Sequence, residues 1–356
     1  MAATGIVRMH GRKLADKLFS PMSSNRTPLA MVADIGGTNA RFALTDPQRE
    51  APQLSHQRSL PCTEFASLQH AAEYYLESVG QQPARAAIAV ASPDGGDEIR
   101  LTNRAWSFSR RELQKSLGLD ALDVLNDFGA VAWAVPALGP ADVVTLHGVH
   151  DAPLCGPVSV LGPGTGLGVA LLTSDAARGW KVVETEGGHV SFAPLCEEEK
   201  RIASWLNARF DRASNERLLC GTGLSQIDAV LASGNDLAPA LDQRATFRDP
   251  GAIVDAALAG HDLIARRALA RFCAVLGSVA GDVALIHGAR TVMIAGGIVP
   301  RFIPFLLSSA FRERFLAKGR MAAYLESVAI QVITHAAPGL LGAAMYLRSG
   351  AHQERT

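Results

Sequence analysis

Three apolar runs in this chain end in glycine turns, and two of them are followed at once by a second apolar run. The first is "LAMVADIGG" with "ARFALTD" behind it. The second is "PVSVLGPGTGLGVALLTSD", and the third is "TVMIAGG". Apolar runs bounded by glycine read as buried strands, and a strand–turn–strand unit reads as a hairpin. Glycine in such a turn lets backbone N–H groups approach an anion with no Cβ in the way. The first two units also align, because Gly37-Thr38 is followed by Ala43-Leu44 just as Gly164-Thr165 is followed by Ala170-Leu171. Either short, common residues coincide here, or the chain holds two copies of one domain facing a shared cleft.

The rest of the chain alternates helical and strand patterns. Phe65, Leu68, Ala72, Tyr75 and Leu76 recur at helical spacing, "ARAAIAVAS" reads as a buried strand, and Ser109-Arg110-Arg111-Glu112 has the form of a capping box opening a helix before Leu113. "LDVLND" predicts a buried strand and "FGAVAWAV" a helix running to Pro136. Val254, Leu258, Leu269, Phe272, Val275, Leu276, Val279 and Val283 lay an apolar face along residues 253–289. Pro300 suits the first turn of a helix, "VAIQVITH" is a last strand and "PGLLGAAMYLR" a last helix. Alternation on this scale predicts α/β layers.

At 356 residues the chain exceeds the roughly 250–300 at which a single core stops growing, so two lobes are expected. Hydrophobic residues are 48% and charged residues 19%, which suits packed cores and not disorder. Lys plus Arg (34) equals Asp plus Glu (34), which removes any general attraction to nucleic acid or an anionic membrane. No uninterrupted apolar run approaches the roughly 18 residues of a membrane span. The cysteines (Cys62, Cys155, Cys196, Cys220, Cys273) are scattered with no C-x-x-C pair, as reduced thiols of a cytoplasmic protein would be. Residues 1–28 lack the apolar stretch of a signal peptide and read as a mobile extension, with Met9 or Met22 as alternative starts.

Asp34-Ile35-Gly36-Gly37-Thr38 suits phosphate binding, with Thr38 adding a hydroxyl and Asp34 able to hold a hydrated magnesium ion. An ordinary hairpin turn has the same residues. No G-x-x-x-x-G-K-[ST] occurs, so a P-loop is excluded. Gly164-Thr165-Gly166 invites a dinucleotide-binding reading, but three residues past Gly166 stands Val169, and the run that follows looks like a strand where the fingerprint needs a helix. A phosphate cradle fits better. Ala295-Gly296-Gly297 offers a further close-approach surface for a purine or ribose. Asn126-Asp127 lies where a strand gives way to a helix, so Asp127 is either a general base near a positive helix end or simply the N-cap. Glu184, Glu186, Gly187, Gly188 and His189 form a polar cluster suited to sugar hydroxyls; as a metal site it lacks the second histidine of H-E-x-x-H. Glu216 opens a helix-like segment and by type alone is a capping or surface carboxylate. "CEEEK" (Cys196–Lys200) reads as a solvated helix start.

In this order the blocks "ADIGGTNARFAL", "TNRAWSFS", "LNDFGAVAWAVP", "GPGTGLGVA", "EGGHVSFAP", "ERLLCGTGL", "IAGGIVPRF" and "PGLLGAA" resemble the bacterial ATP-dependent glucokinases, a branch of the sugar kinase, actin and heat-shock-protein-70 superfamily. The resemblance runs from about Met31 to Arg348. It implies two ribonuclease-H-like α/β domains flanking a cleft: a small domain of residues 29–137 plus 336–356 and a large one of 138–335. It implies ATP, Mg²⁺ and glucose as ligands and a homodimer as the assembly. Ala33, Asp34, Ile35, Gly36, Gly37 and Thr38 match the first phosphate segment, Gly164, Thr165 and Gly166 the second, and Ala295, Gly296 and Gly297 the adenosine turn. Asp127 matches the catalytic base, and Asn126, Glu186, His189 and Glu216 match glucose ligands. The cysteine cluster that binds zinc in the related ROK proteins has no counterpart after His189. Ser191 departs from the family pattern, which has an acidic residue there, and puts local hydrogen bonding in doubt. A sugar-responsive regulator and a nicotinamide-dependent oxidoreductase are the rival classes. The extension is too short for a helix-turn-helix module, and the register at Val169 speaks against the second rival.

Overall fold

The computed structural model describes residues 28–91, 96–101, 106–148, 153–154, 156–175, 179–234 and 247–350. Residues 1–27 of the expected extension, Thr102–Ala105 of the "TNRAWSFS" block, Cys155 and the last six residues lie outside the described residues.

The glycine-bounded apolar runs fold as the hairpins their pattern predicts. β1 (Ala30–Ile35) pairs antiparallel with β2 (Asn39–Thr45), from Ala30 opposite Thr45 to Ile35 opposite Ala40. β3 (Ser55–Pro61) lies outside β2, and β4 (Arg85–Val90) runs parallel to β1. A two-stranded ribbon of β5 (Glu98–Arg100) and β6 (Ser107–Ser109) precedes β7 (Ala121–Asn126), which is parallel to β4 and closes the order β3-β2-β1-β4-β7.

The second half repeats the plan. After β8 (Val143–His147), the strands β9 (Val158–Pro163), β10 (Leu167–Asp175), β11 (Gly179–Thr185), β12 (Thr291–Ile294) and β13 (Ala329–Ile333) form a sheet of order β11-β10-β9-β12-β13-β8. Here β9 and β10 are antiparallel while β12 and β13 run parallel to β9, so the first sheet's arrangement recurs with antiparallel β8 added at one edge. The internal repeat is therefore structural and not a coincidence of common residues.

Helices begin and end where the residues allow. Ser67 caps α1 (Leu68–Val79), and Gly80 ends it in the left-handed conformation at φ 62°. Ser109 caps α2 (Arg110–Ser116) by accepting the Glu112 N–H. α3 (Asp127–Ala134) crosses the last helix, Pro338–Ser349, so closely that a Cβ on Gly342 would overlap the carbonyl oxygen of Ala130. That last helix packs Leu340, Ala343, Ala344 and Leu347 against Ala30, Val32, Ala87 and Ala89 of the first sheet.

Two sequence expectations are corrected. The apolar face along 253–289 is broken at Gly260 (φ 87°) into helices Pro250–Ala259 and Leu263–His287, and Leu258 faces solvent at 44% exposure. The 25-residue helix Leu263–His287 is long and apolar enough to cross a bilayer, but Leu269, Phe272, Val275 and Leu276 are wholly buried in the second core. The "CEEEK" start of α4 (Glu197–Phe210) is solvated only in part. Glu199 is fully buried and takes hydrogen bonds from Arg314 (2.7 Å), Arg271 (2.9 Å) and the Leu195 N–H (2.7 Å). Burial alone would raise its pKa, yet Arg314, the Leu195 N–H and Arg271 outweigh that and hold it below the ordinary value.

Candidate active site

The hairpins, the β7–α3 junction and the loop after β11 surround one cavity of about 560 Å³. Its wall includes Asp34, Ile35, Gly36 and Gly37 from the first turn, Asn126 and Asp127 from the junction, and Gly164, Thr165 and Gly166 from the second turn. Glu186, His189 and Glu216, the other predicted sugar ligands, line it too. Residues more than 150 positions apart in sequence thus meet in one place.

The first turn is closed by the Gly36 N–H on the Asn39 carbonyl at 3.0 Å. Asp34 sits one residue before the end of β1, where Arg41 of β2 lies 3.4 Å from its carboxylate. The Gly339 backbone approaches from the opposite side; a Cβ there would stand 2.8–3.2 Å from the Asp34 carboxyl atoms. Burial raises the Asp34 pKa, with Arg41 pulling the other way. In the second turn the Gly164 N–H bonds the Gly166 carbonyl at 2.8 Å. Glu216, in the short helix α5 (Asn215–Leu218), accepts the Leu167 N–H at 3.1 Å, and a Cβ on Gly166 would meet its Oε2 at 2.5 Å. This glycine makes room for a carboxylate as well as exposing backbone.

At the β7–α3 junction the N-cap is Asn126, not Asp127. The Asn126 Oδ1 accepts the N–H groups of Phe128 (2.9 Å) and Gly129 (3.0 Å). Asp127 is the first helical residue, and its Oδ1 accepts the Phe128 N–H at 2.8 Å. Two adjacent capping-type residues left this open in the sequence. The Asp127 pKa is raised: burial is the largest cause, and the charges of Asp34 and Glu186 add to it against the opposing Phe128 N–H.

His189 lies between two carboxylates, with Nε2 3.7 Å from Glu186 and Nδ1 3.7 Å from Glu216. The loop carrying it is stitched to the Glu216 segment by Phe192 N–H to Ala213 O (3.0 Å) and Asn215 N–H to Val190 O (2.9 Å). Ser191, the departure in the sequence, accepts from Arg212 at 3.3 Å, and the same guanidinium donates to the His189 carbonyl at 2.6 Å. Glu184 of the predicted cluster is not on the cavity wall; it turns toward α3 and accepts the Asn126 N–H at 3.3 Å.

Some predicted residues lie outside the wall. Ala33 is buried within β1, and Thr38 is exposed on the far side of its turn. Ala295 and Gly296 back onto the second hairpin: the Ala295 N–H bonds the Leu161 carbonyl at 2.8 Å, and Cβ atoms on Gly162 or Gly296 would overlap Ala295 or Pro163. The 295–297 turn therefore adjoins the 164–166 turn without reaching the cavity. The wall also holds Ala91, Phe128, Leu167, Gly168 and Thr185, which sequence reasoning missed. Gly168 is needed by the fold, since the Phe128 ring fills the place of its Cβ.

Residues 31–350 match the family model described as Glucokinase. The chain belongs to the glucokinase family. Among curated glucokinases, that of Chromohalobacter salexigens is 43% identical over 316 residues, covering 88% of this chain and 96% of the relative. That of Xanthomonas campestris pv. campestris is 44% identical over 324 residues, covering 89% and 94%. Among solved structures, the glucokinase of an Antarctic psychrotroph superposes with a TM-score of 0.76 at 35% identity, covering 90% of this chain and 99% of the other. A ROK family glucokinase from Streptomyces griseus, solved with glucose and AMPPNP, shares the fold at a TM-score of 0.62 and 18% identity, covering 89% and 98%. The glucokinase family model spans both sheets and every site residue named above, and these neighbours have the actin-like ATPase fold expected from the sequence.

Proposed function

We propose that the protein transfers the γ-phosphoryl group of ATP to the 6-hydroxyl of glucose, giving glucose 6-phosphate at the entry to glycolysis, with Asp127 as general base. The observation that carries this is Asp127 itself. It is a carboxylate on the wall of a cavity that both glycine turns and three acceptor-type side chains also line, and burial raises its pKa. A raised pKa makes the ionised form a better proton acceptor. Asp127 takes the proton as the sugar oxygen bonds to phosphorus, and the bond from phosphorus to the bridging oxygen of ADP breaks. Asn126, Glu186, His189 and Glu216 bind the sugar. The turns at 34–38 and 164–166 hold the phosphates, with Ala33 supporting the first from within β1, and the 295–297 turn, which backs the second, borders the adenosine. The reading divides the chain into a small domain (29–137 and 336–356) and a large one (138–335), supported by the packing of helix Pro338–Ser349 on the first sheet, and closure of the two excludes water as a competing nucleophile.

Mg²⁺ suits this site. The Asp34 carboxylate lies on the cavity wall with both glycine turns and is a hard oxygen donor of the kind this cation prefers. Asp34 would hold it through water, where it supplies charge neutralisation for the phosphoryl oxygens. Cysteines scattered through the chain with no C-x-x-C pair support a cytoplasmic setting.

A coupled assay of ADP release tests the reading, run with and without glucose, mannose and glucosamine and with ATP or polyphosphate as donor. Glucose-dependent ADP release with glucose 6-phosphate as product is expected. ADP release indifferent to sugar, or phosphorylation from polyphosphate alone, would overturn it.

A further inference from the structure

Capping boxes are usually built within one helix. The N-cap side chain accepts the N–H of the third helical residue, and a Glu or Gln at that third position accepts the N–H of the N-cap residue. In α3 the first half is present, because Asn126 Oδ1 accepts the Gly129 N–H at 3.0 Å. The third position is Gly129, which has no side chain to return the bond. The Asn126 N–H is nevertheless bonded, at 3.3 Å, by Glu184 Oε1 from β11 of the second sheet. The Glu184 carboxyl and Cγ stand 2.6–3.0 Å from where a Cβ on Gly129 would be, and no atom of any other residue is among the three nearest to that point.

We infer that Glu184 completes the capping box of α3 in trans, and that it is a positioning residue for Asn126 and Asp127. The geometry has three parts that support one another. β7 is the edge strand of the first sheet, so an N–H on its outer side has no strand to bond, and Glu184 meets that of Asn126. Gly129 leaves the space that a side chain at the third position would fill. Glu184 lies two residues before Glu186, so the end of β11 that leads into a sugar-facing carboxylate also brings one to the junction. Without Glu184 the Asn126 backbone is tied to β4 on one side only, and the residue presenting the carboxylate to the sugar can swing.

The inference rests on the reading of Asp127 as the base, and the experiment keeps the two apart. Turnover, KM for glucose and for ATP, and thermal midpoint are measured for Glu184→Ala, Glu184→Gln, Gly129→Glu and the double variant Gly129→Glu/Glu184→Ala, beside Asp127→Asn. Glu184→Ala should lose about tenfold in kcat, with KM for ATP and the thermal midpoint unchanged. Glu184→Gln should keep kcat within about threefold, since its amide oxygen accepts the same bond. Gly129→Glu alone collides with Glu184 and should be impaired. The double variant returns the carboxylate within the helix and should recover most of the lost kcat. Wild-type kcat in Glu184→Ala, or a double variant no better than Glu184→Ala, overturns the inference. So does a loss that tracks the thermal midpoint and is not relieved in Glu184→Gln, because the residue would then serve stability alone. An active Asp127→Asn overturns the base instead, whatever Glu184 does.

Discussion

Replacing Asp127 separates catalysis from folding with unusual clarity, because the cap of α3 belongs to its neighbour. Asn126 keeps both of its bonds, to Phe128 and Gly129, whatever stands at 127. Losing an N-cap costs about 1 kcal/mol; neither Asp127→Asn nor Asp127→Ala should incur it. A negative charge in the first turn is worth about 0.3–1 kcal/mol through the helix dipole. Against that, Asp127 has a raised pKa, so near neutral pH the native state carries a charge that burial, Asp34 and Glu186 all disfavour. The sign follows directly. The native state holds the proton to higher pH than the unfolded chain does, so this group's contribution to stability falls as pH rises from the ordinary Asp value through the raised one. The opposing contributions leave both variants within ~1 kcal/mol of wild type at pH 7, about 2–4 °C in thermal midpoint for a domain of this size. Turnover should fall about 10²–10⁴-fold in both, with glucose and ATP binding retained by calorimetry. In the wild type, kcat/KM should decline with falling pH from above the ordinary Asp range, not within it. An Asp127→Asn enzyme with more than a tenth of wild-type turnover would refute the mechanism. A loss of several degrees in the Ala variant alone would restore the capping role to Asp127.

Asp34→Asn should lower turnover and raise the magnesium concentration needed for half-maximal rate, with glucose affinity unchanged by calorimetry; an unaltered magnesium dependence would remove the ion from Asp34. Glu186→Ala, His189→Ala and Glu216→Ala should each weaken glucose binding by about 1.5–3 kcal/mol, the worth of a hydrogen bond to a charged group. ATP affinity should hold, and loss of ATP binding with glucose binding intact would reverse the assignment of the cavity's two ends. Glu199→Ala leaves the largely buried Arg314 without its carboxylate, while Arg271 keeps Glu198, and should cost about 3–5 kcal/mol in denaturant unfolding. Because the Glu199 pKa is lowered, its contribution is present above the ordinary Glu value and is lost as pH falls through the lowered one.

What could be read from the sequence was what local pattern controls. Apolar runs ending in glycine gave hairpins at Ala30–Thr45 and Val158–Asp175, because strand burial and turn freedom are both written within ten residues. The companions of those turns in the cavity came from the family resemblance, since nothing local ties Asp34 to Glu216. Glu199 was misjudged for a like reason. Three consecutive glutamates look solvated, and the arginines that permit one of them to be buried arrive 72 and 115 residues later. Gly129 and Gly339 looked like ordinary helical glycines. Only the fold shows that one yields its space to Glu184 and the other to Asp34.

The repeat also explains why the acidic groups meet where they do. In each sheet the fifth strand of the shared order leads into a helix, and each of those helices leaves its own sheet for the other. α3 follows β7 of the first sheet, yet Phe128 seats where Gly168 of β10 has no side chain, and α3 packs along β10 and β11. Helix Pro338–Ser349 follows β13 of the second sheet, yet it lies on β1 and β4 and sets Gly339 against Asp34. The two cross at Gly342 and Ala130, where no side chain fits between them. Asp127 is therefore borne by a first-sheet strand and steadied by the second sheet, while Asp34 is borne by the first sheet and bounded by a helix from the second.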